Sequence, residues 1–415
     1  MLAMDDLGAG AEIAHGGVVF DPLGSDYMEQ PAAHLAEVRA SAPVQSVFDR
    51  WMLFEYADCF AMLRDPTLSV DDLNSNLAET ERGRQLEQIV GDRAESQGML
   101  STDPPDHTRL RRLVTKAFTP RTIDALRPRV QELVDERLDH LAAQGGGDLV
   151  GELAYPLPFE VISEMLGMPE ADRAEVITWS AAMVKTLDPI ISDEDVERAF
   201  TAQQAMRHHV TEVIAWKREH PAEDLLSALI QAEEAGDRLT TEELVAQVVL
   251  LYVAGHETTV NLIGTGALEL LRHPEQAAGW AADPSLGSTA VDELLRWVSP
   301  VQMSRRIATT DLRFGDITIP ERSFVLVMLA SANRDPAQWG DTAETLDLGR
   351  ANAGQHISFG SGAHYCLGAS LAKLETDVAL GSFLRRFPDA EVAGEHTWNG
   401  RLNLRGLDSL PVRVG

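Results

Sequence analysis

Cysteine is almost absent: Cys59 and Cys366 are the only 2 in 415 residues. Two thiols in so long a chain are not a disulfide framework. Basic residues are scarce as well, 35 Lys and Arg against 65 Asp and Glu, for a net charge of -30. So acidic a surface repels phosphates and anionic lipid, which excludes nucleic acid and membrane surfaces as partners. No Lys or Arg precedes Arg39, so the charged start of a secretory leader is missing. Long uninterrupted apolar runs are missing too. The longest stretch, Leu244 to Leu271, is broken by His256, Glu257, Thr258 and Asn261, which would be costly against lipid and speak against a membrane span. No repeat, low-complexity block or Gly/Ser linker divides the chain. What remains is 44% hydrophobic and 24% charged residues, enough apolar material to enclose a cofactor-sized interior. The expectation is a soluble cytoplasmic protein with one domain over residues 1–415.

Helical periodicity dominates. Thr122–Leu141 reads as an amphipathic helix stopped by Gly145-Gly146-Gly147, and Ala171–Lys185 and Asp195–Arg218 as two more. Thr240 and Glu243 form a capping box that opens the segment Leu244–Leu271. Strand-like pieces are short: Ser46–Phe54, Leu312–Ile319, Phe324–Met328 and a stretch within Leu402–Val414. The fold class expected is mainly α with small β-sheets.

Chemistry concentrates in Phe359-Gly360-Ser361-Gly362-Ala363-His364-Tyr365-Cys366-Leu367-Gly368. The glycines permit positive φ and close approach of backbone to a flat group. Leu371 to Glu375 looks helical, which sets Cys366 at a helix amino end where amide dipoles favour thiolate. A structural cysteine in a Gly-rich turn is the simpler alternative, and it is the reading for Cys59. A second cluster, Ala254-Gly255-His256-Glu257-Thr258-Thr259, lies inside the long apolar helix. Ala254, Glu257 and Thr258 share one helical face, with Leu250 one turn earlier. A carboxylate beside a hydroxyl in an apolar helix needs a reason. One is a back-bond from Thr258 to the Ala254 carbonyl.

The Phe-Gly-x-Gly-x-His-x-Cys-x-Gly pattern resembles the haem-binding loop of bacterial-type soluble cytochromes P450, and the resemblance extends essentially end to end. It implies the fold of that family, with haem b (iron protoporphyrin IX) between the long helix and the Cys-loop helix. It implies Cys366 as axial thiolate, with Phe359, Gly360 and Gly368 shaping the loop and amides after the cysteine bonding its sulfur. Thiolate ligation favours O–O cleavage. Ala254-Gly255-His256-Glu257-Thr258 resembles the segment over the distal haem face. There Thr258 would hold water beside dioxygen, Glu257 would relay protons, and His256 would be structural or solvent-relayed. His107, Arg111, Arg306 and His364 match the propionate donors. Glu293 and Arg296, an ordinary i, i+3 pair by spacing, match the family's buried Glu-x-x-Arg. Arg350 is the candidate for the third member, with Arg334 as the alternative.

The chain has no credible nucleotide fingerprint: Gly264-Thr265-Gly266 lacks the final glycine and lies within a helix pattern. Electrons would therefore come from another protein, and the resemblance implies a ferredoxin and its reductase. Arg109, Arg112, Lys116 and Arg121 form a basic cluster that is either a docking patch or a solvated face. By resemblance the pocket draws on Ser69–Met99, Ala181–Leu187, Leu250 with Ala254, Val301–Ser304 and Leu402–Leu404, with Met99, Met183, Val184, Val301, Met303 and Leu402 as named lining. The resemblance implies a monooxygenase that uses dioxygen to hydroxylate or otherwise oxidise a lipophilic small molecule. Asp188 to Arg218 would form its lid. A peroxide-driven enzyme and a gas or ligand sensor are the competing readings, both disfavoured by the intact Glu257-Thr258 pair.

Overall fold

The computed structural model describes residues 17–24, 27–47, 50–76, 98–116, 118–169, 173–234 and 237–415. The helices that frame the site are α1 (Asp106–Thr115), α2 (Arg127–Gln144), α3 (Pro156–Leu166), α4 (Arg173–Val184), α5 (Asp193–Glu219), α6 (Thr241–Arg272), α7 (Gly287–Val298) and α8 (Ala369–Arg386). The main sheet comprises β1 (Val44–Val47), β2 (Arg50–Leu53), β3 (Ser304–Ile307) and β4 (Phe324–Val327).

Helix α6 grows from its capping box. The Thr240 hydroxyl accepts from the Glu243 N–H at 3.1 Å, and the Glu243 carboxylate accepts from the Thr240 N–H at 2.8 Å. Past that end, residues 259 to 268 are buried without a break. A helix apolar on every side has to be wrapped by others, and α3, α4, α5, α7 and α8 all pack on α6. It ends where His273-Pro274 cannot continue the hydrogen-bond ladder. The turn before α3, Val150–Ala154, is a single π-helical stretch.

The sheet runs in the order β1-β2-β4-β3. β1 and β2 are antiparallel (Val44 opposite Leu53), β2 and β4 parallel (Met52 opposite Leu326), and β4 and β3 antiparallel (Val325 opposite Arg306). This pairing delivers Arg306 to the edge of the Cys loop.

Several boundaries differ from the sequence pattern. The helix expected over Thr122–Leu141 is two, Pro120–Asp124 and α2, because Pro128 at the start of α2 lacks the N–H needed to continue from the preceding turn. It ends, as the glycine run implied, with Gly145 at φ 68°. The strand expected over Ser46–Phe54 is the antiparallel pair β1–β2, and residues 48–49 between them lie outside the described residues. Leu312–Ile319 is a hairpin turning at Gly315, φ 58°. In the terminal stretch only Leu407–Ser409 and Pro411–Arg413 are strands, and 402–406 is a loop held by side chains. The starts of the helix expected over Ala171–Lys185, and most of the pocket stretch Ser69–Met99 (77–97), fall outside the described residues.

Candidate active site

The Cys loop is shaped by its glycines. Gly360 and Gly362 take φ 68° and 72°, and a Cβ on Gly362 would stand 2.7 Å from the Leu63 carbonyl oxygen. The Cys366 N–H donates to the Phe359 carbonyl at 2.9 Å, closing the loop, and α8 starts three residues on. Burial pushes the Cys366 thiol up, while the Gly368 N–H on its sulfur and the Arg111 guanidinium pull the other way. Cys59 is different: fully buried, its S–H donates to the Leu53 carbonyl at 3.2 Å. It is a structural thiol.

Four cationic or imidazole groups from three distant segments converge beside the loop. His107 of α1 stacks on His364 with ring centroids 4.0 Å apart. Arg111, one turn later, donates to the Tyr365 carbonyl at 2.6 Å. Arg306 of β3 donates to the carbonyls of Arg305 and Leu63. Among the described residues no carboxylate ion-pairs with any of the four. Burial lowers Arg306 to about 10, and burial together with His107, Arg306 and Arg111 lowers His364 to about 3. Both ring nitrogens of His107, 2% exposed, have no hydrogen-bond partner among the described residues. Buried donors left unpaired are costly, so this cluster calls for an anionic ligand. Two propionates on a haem held by Cys366 have the chemistry this donor set fits.

On α6, Leu250, Ala254 and Thr258 form a part-exposed strip along a helix otherwise enclosed. Thr258 Oγ1 donates to the Ala254 carbonyl at 2.9 Å, the back-bond read from the sequence. Glu257, 6% exposed, leaves that strip and accepts from Arg401 Nη1 at 2.6 Å. Burial pushes the Glu257 carboxyl up and Arg401 restrains it. His256 is 1% exposed and donates from Nε2 to the Tyr155 carbonyl at 2.9 Å, at the junction of the π-helical turn and α3. Its pKa falls to about 4 through burial, so it is a neutral structural group.

Glu293 and Arg296 are both 0% exposed. Arg296 Nε and Nη2 donate to Glu293 at 2.8 Å each, and its remaining donors reach the carbonyls of Asn333, Ala343 and Thr345. Arg350 Nε bonds both Glu293 oxygens at 3.1 and 3.0 Å. Arg334, the alternative, pairs with Glu344 and donates to the Trp297 carbonyl instead.

The pocket candidates divide among packing clusters. Met99 is in the main core, with Met183 and Leu250 against it; Met303 and Leu402 share a second cluster, and Val301 packs on a third. Val184 is 1% exposed. The basic cluster also needs correction: Arg109 is ion-paired with Glu243 and lies 3.5 Å from Asp237, so it is committed to the start of α6. Sequence reasoning missed Arg401, since nothing local ties a loop arginine to a carboxylate on α6.

Comparison with known proteins decides the family. The cytochrome P450 family model matches residues 60–278 and 286–397. The chain belongs to the cytochrome P450 family. It is 42% identical over 388 residues to cytochrome P450 107B1 of Saccharopolyspora erythraea, covering 90% of this chain and 92% of that one. The structure of the bacillaene polyketide synthase cytochrome P450 PksS of Bacillus subtilis 168 matches with TM-score 0.85 and 37% identity, covering 96% of this chain and 100% of that one. P450BioI in complex with hexadec-9Z-enoic acid ligated acyl carrier protein matches with TM-score 0.86 and 34% identity, covering 94% and 100%. The P450 is thus a monooxygenase of the bacterial type. Among its described residues no helix is long and apolar enough to cross a membrane.

Proposed function

We propose that this P450 is a cytoplasmic enzyme that oxidises a lipophilic small molecule, with Cys366 as the axial haem ligand and a ferredoxin and its reductase as electron donors. The observation that carries the proposal is the convergence of His107, Arg111, Arg306 and His364 beside Cys366, with no carboxylate in ion-pair contact among the described residues. When bound, a thiolate-ligated haem supplies dioxygen activation and insertion of one oxygen atom into a C–H bond. The protein's own part is divided among named groups. The Gly368 N–H and Arg111 stabilise negative charge on the Cys366 sulfur. His107, Arg111, Arg306 and His364 would hold the propionates. Thr258 Oγ1 exchanges its bond to the Ala254 carbonyl for a water, and Glu257 passes protons to that water.

The lipophilic substrate class is supported by the apolar character of Met303 and Leu402 and by the names of two relatives, one of polyketide biosynthesis and one complexed with a fatty acyl carrier protein. The lid is proposed as Asp188 to Arg218, whose entry segment packs on Leu402 through Ile190. Optical titration of the ferric protein against lipophilic compounds tests the reading. Displacement of water from the iron by one compound class shifts the spin state and names the substrate family. A protein that stays colourless after haem supplementation refutes it. With that compound, Thr258→Ala is expected to keep haem and substrate binding but divert NADH consumption to hydrogen peroxide. Unchanged product yield would refute the relay.

A further inference from the structure

The loop 399–406 is not a strand, yet it is among the most heavily bonded segments around the site. Asn403 alone bridges two segments. Its N–H donates to Asp188 Oδ1 at 2.6 Å and its Nδ2 to the Leu187 carbonyl at 3.0 Å, both at the entrance to α5. Its carbonyl and Oδ1 accept the N–H groups of Gln302 (2.8 Å) and Met303 (3.2 Å), just before β3. Two residues earlier, Arg401 reaches Glu257 on α6. Between these anchors the loop is braced. The Arg401 N–H donates to Asn399 Oδ1 at 3.1 Å, Asn399 Nδ2 donates to the Leu404 carbonyl at 2.9 Å, and Asn261 of α6 donates to that same carbonyl at 3.1 Å.

The side chains of Arg401 and Glu257 are 16% and 8% exposed, so their attraction is little screened by water. Arg401 also acts on Asp188, which burial raises to about 6 while the Asn403 N–H, Arg401 and the Leu402 N–H lower it. The one guanidinium is bonded to the acid on α6 and acts through space on the acid at the start of the proposed lid. Asp408 is the further acid that faces Glu257. Asp188 lines a surface cleft of about 350 Å³ together with Pro22, Met28, Ile190 and Leu402, so solvent approaches the lid side of the loop.

We propose that Arg401 and Asn403 are positioning residues that link the entrance of α5 to Glu257, so that the acid is held in place only while Asp188 is seated on the Asn403 amide. The link rests on Glu257 being the relay acid. It is a coupling between two contacts through one short braced loop, and such a coupling is reciprocal: loosening either contact loosens the other. Departure of α5 would free Asp188 from Asn403, slacken Arg401 and release the Glu257 carboxylate. Its return would restore the pair.

The test is hydrogen exchange on the haem-loaded ferric protein without substrate. In Arg401→Gln the Asn403 amide, which the substitution does not touch, should exchange about tenfold faster or more, the factor that about 1.4 kcal/mol corresponds to. Arg401→Lys, which keeps a cation, should restore protection. In Asp188→Ala the Arg401 amide should likewise exchange faster, and Asp188→Asn, which keeps an acceptor oxygen, should not change it. Wild-type exchange at Asn403 in Arg401→Gln, or at Arg401 in Asp188→Ala, overturns the link. Peroxide yield in Glu257→Gln reports the relay reading separately, so the two failures are distinct.

Discussion

Replacing Glu293 by Gln removes a single charge at the point where three segments meet. The carboxylate is 0% exposed and accepts from Arg296 Nε and Nη2, from Arg350 Nε and from the Asp347 N–H at 3.0 Å. Gln keeps the shape, loses the charge and turns an NH2 group towards two guanidiniums. Arg296, also 0% exposed, would then be an uncompensated buried cation, since its other bonds go to neutral carbonyls. Breaking a buried pair by removing one partner costs about 3–5 kcal/mol. Against a total stability of about 5–15 kcal/mol that is a large share. The expected outcome is a poor yield of haem-loaded protein and a urea midpoint lower by about 1–2 M for a slope near 3 kcal/mol/M. Arg350→Met should cost less, because Arg296 keeps its bidentate partner. The comparison is made by following haem absorbance and far-ultraviolet dichroism through the same urea series. A Glu293→Gln protein within about 0.3 M of wild type would refute the view that this charge holds the three segments together.

Two further expectations follow from buried groups. Glu375 on α8 is 1% exposed, its Oε2 lacks a partner, and burial raises it to about 8. The folded state thus binds a proton that the unfolded chain releases, so stability present below about pH 4.5 is lost as pH rises towards 8, by an amount on the order of 4 kcal/mol. Glu375→Gln should flatten that slope between pH 5 and 8.5 in urea titrations, and equal slopes in the two proteins would contradict the assignment. His107→Phe keeps the volume but removes the unpaired donors. Haem transfer to apomyoglobin should then quicken by about tenfold, and an unchanged transfer rate would remove His107 from the propionate set.

Much of this P450 was legible in its sequence because the informative patterns are local. Thr240 and Glu243 are three residues apart, and their reciprocal bonds form wherever a helix starts there. Glu293 and Arg296 are also three apart, so helix geometry alone brings them together. The glycines of 360–362 and the cysteine at 366 close a loop within ten residues. What spacing could not show is how far apart in sequence the remaining partners lie. Ser46–Phe54 and Leu312–Ile319 read as single strands because alternation looks the same on either side of a chain reversal. The choice of Arg350 over Arg334 depended on which guanidinium reaches Glu293, 57 residues from Arg350. Arg109 reads from spacing as part of a docking patch or of a solvated face, whereas the fold sets it against Glu243, 134 residues away.

The sequence by itself determined the family, the helix that carries Glu257 and Thr258, and the loop that carries Cys366, since each is written within one or two helical turns. Only the tertiary structure decided that Glu257 is held by Arg401, 144 residues later, and that the same loop meets Asp188 through Asn403. The physical reason is that a backbone hydrogen-bond pattern repeats over three or four residues, whereas a buried ion pair between a helix and a loop exists only after packing has excluded the water around it.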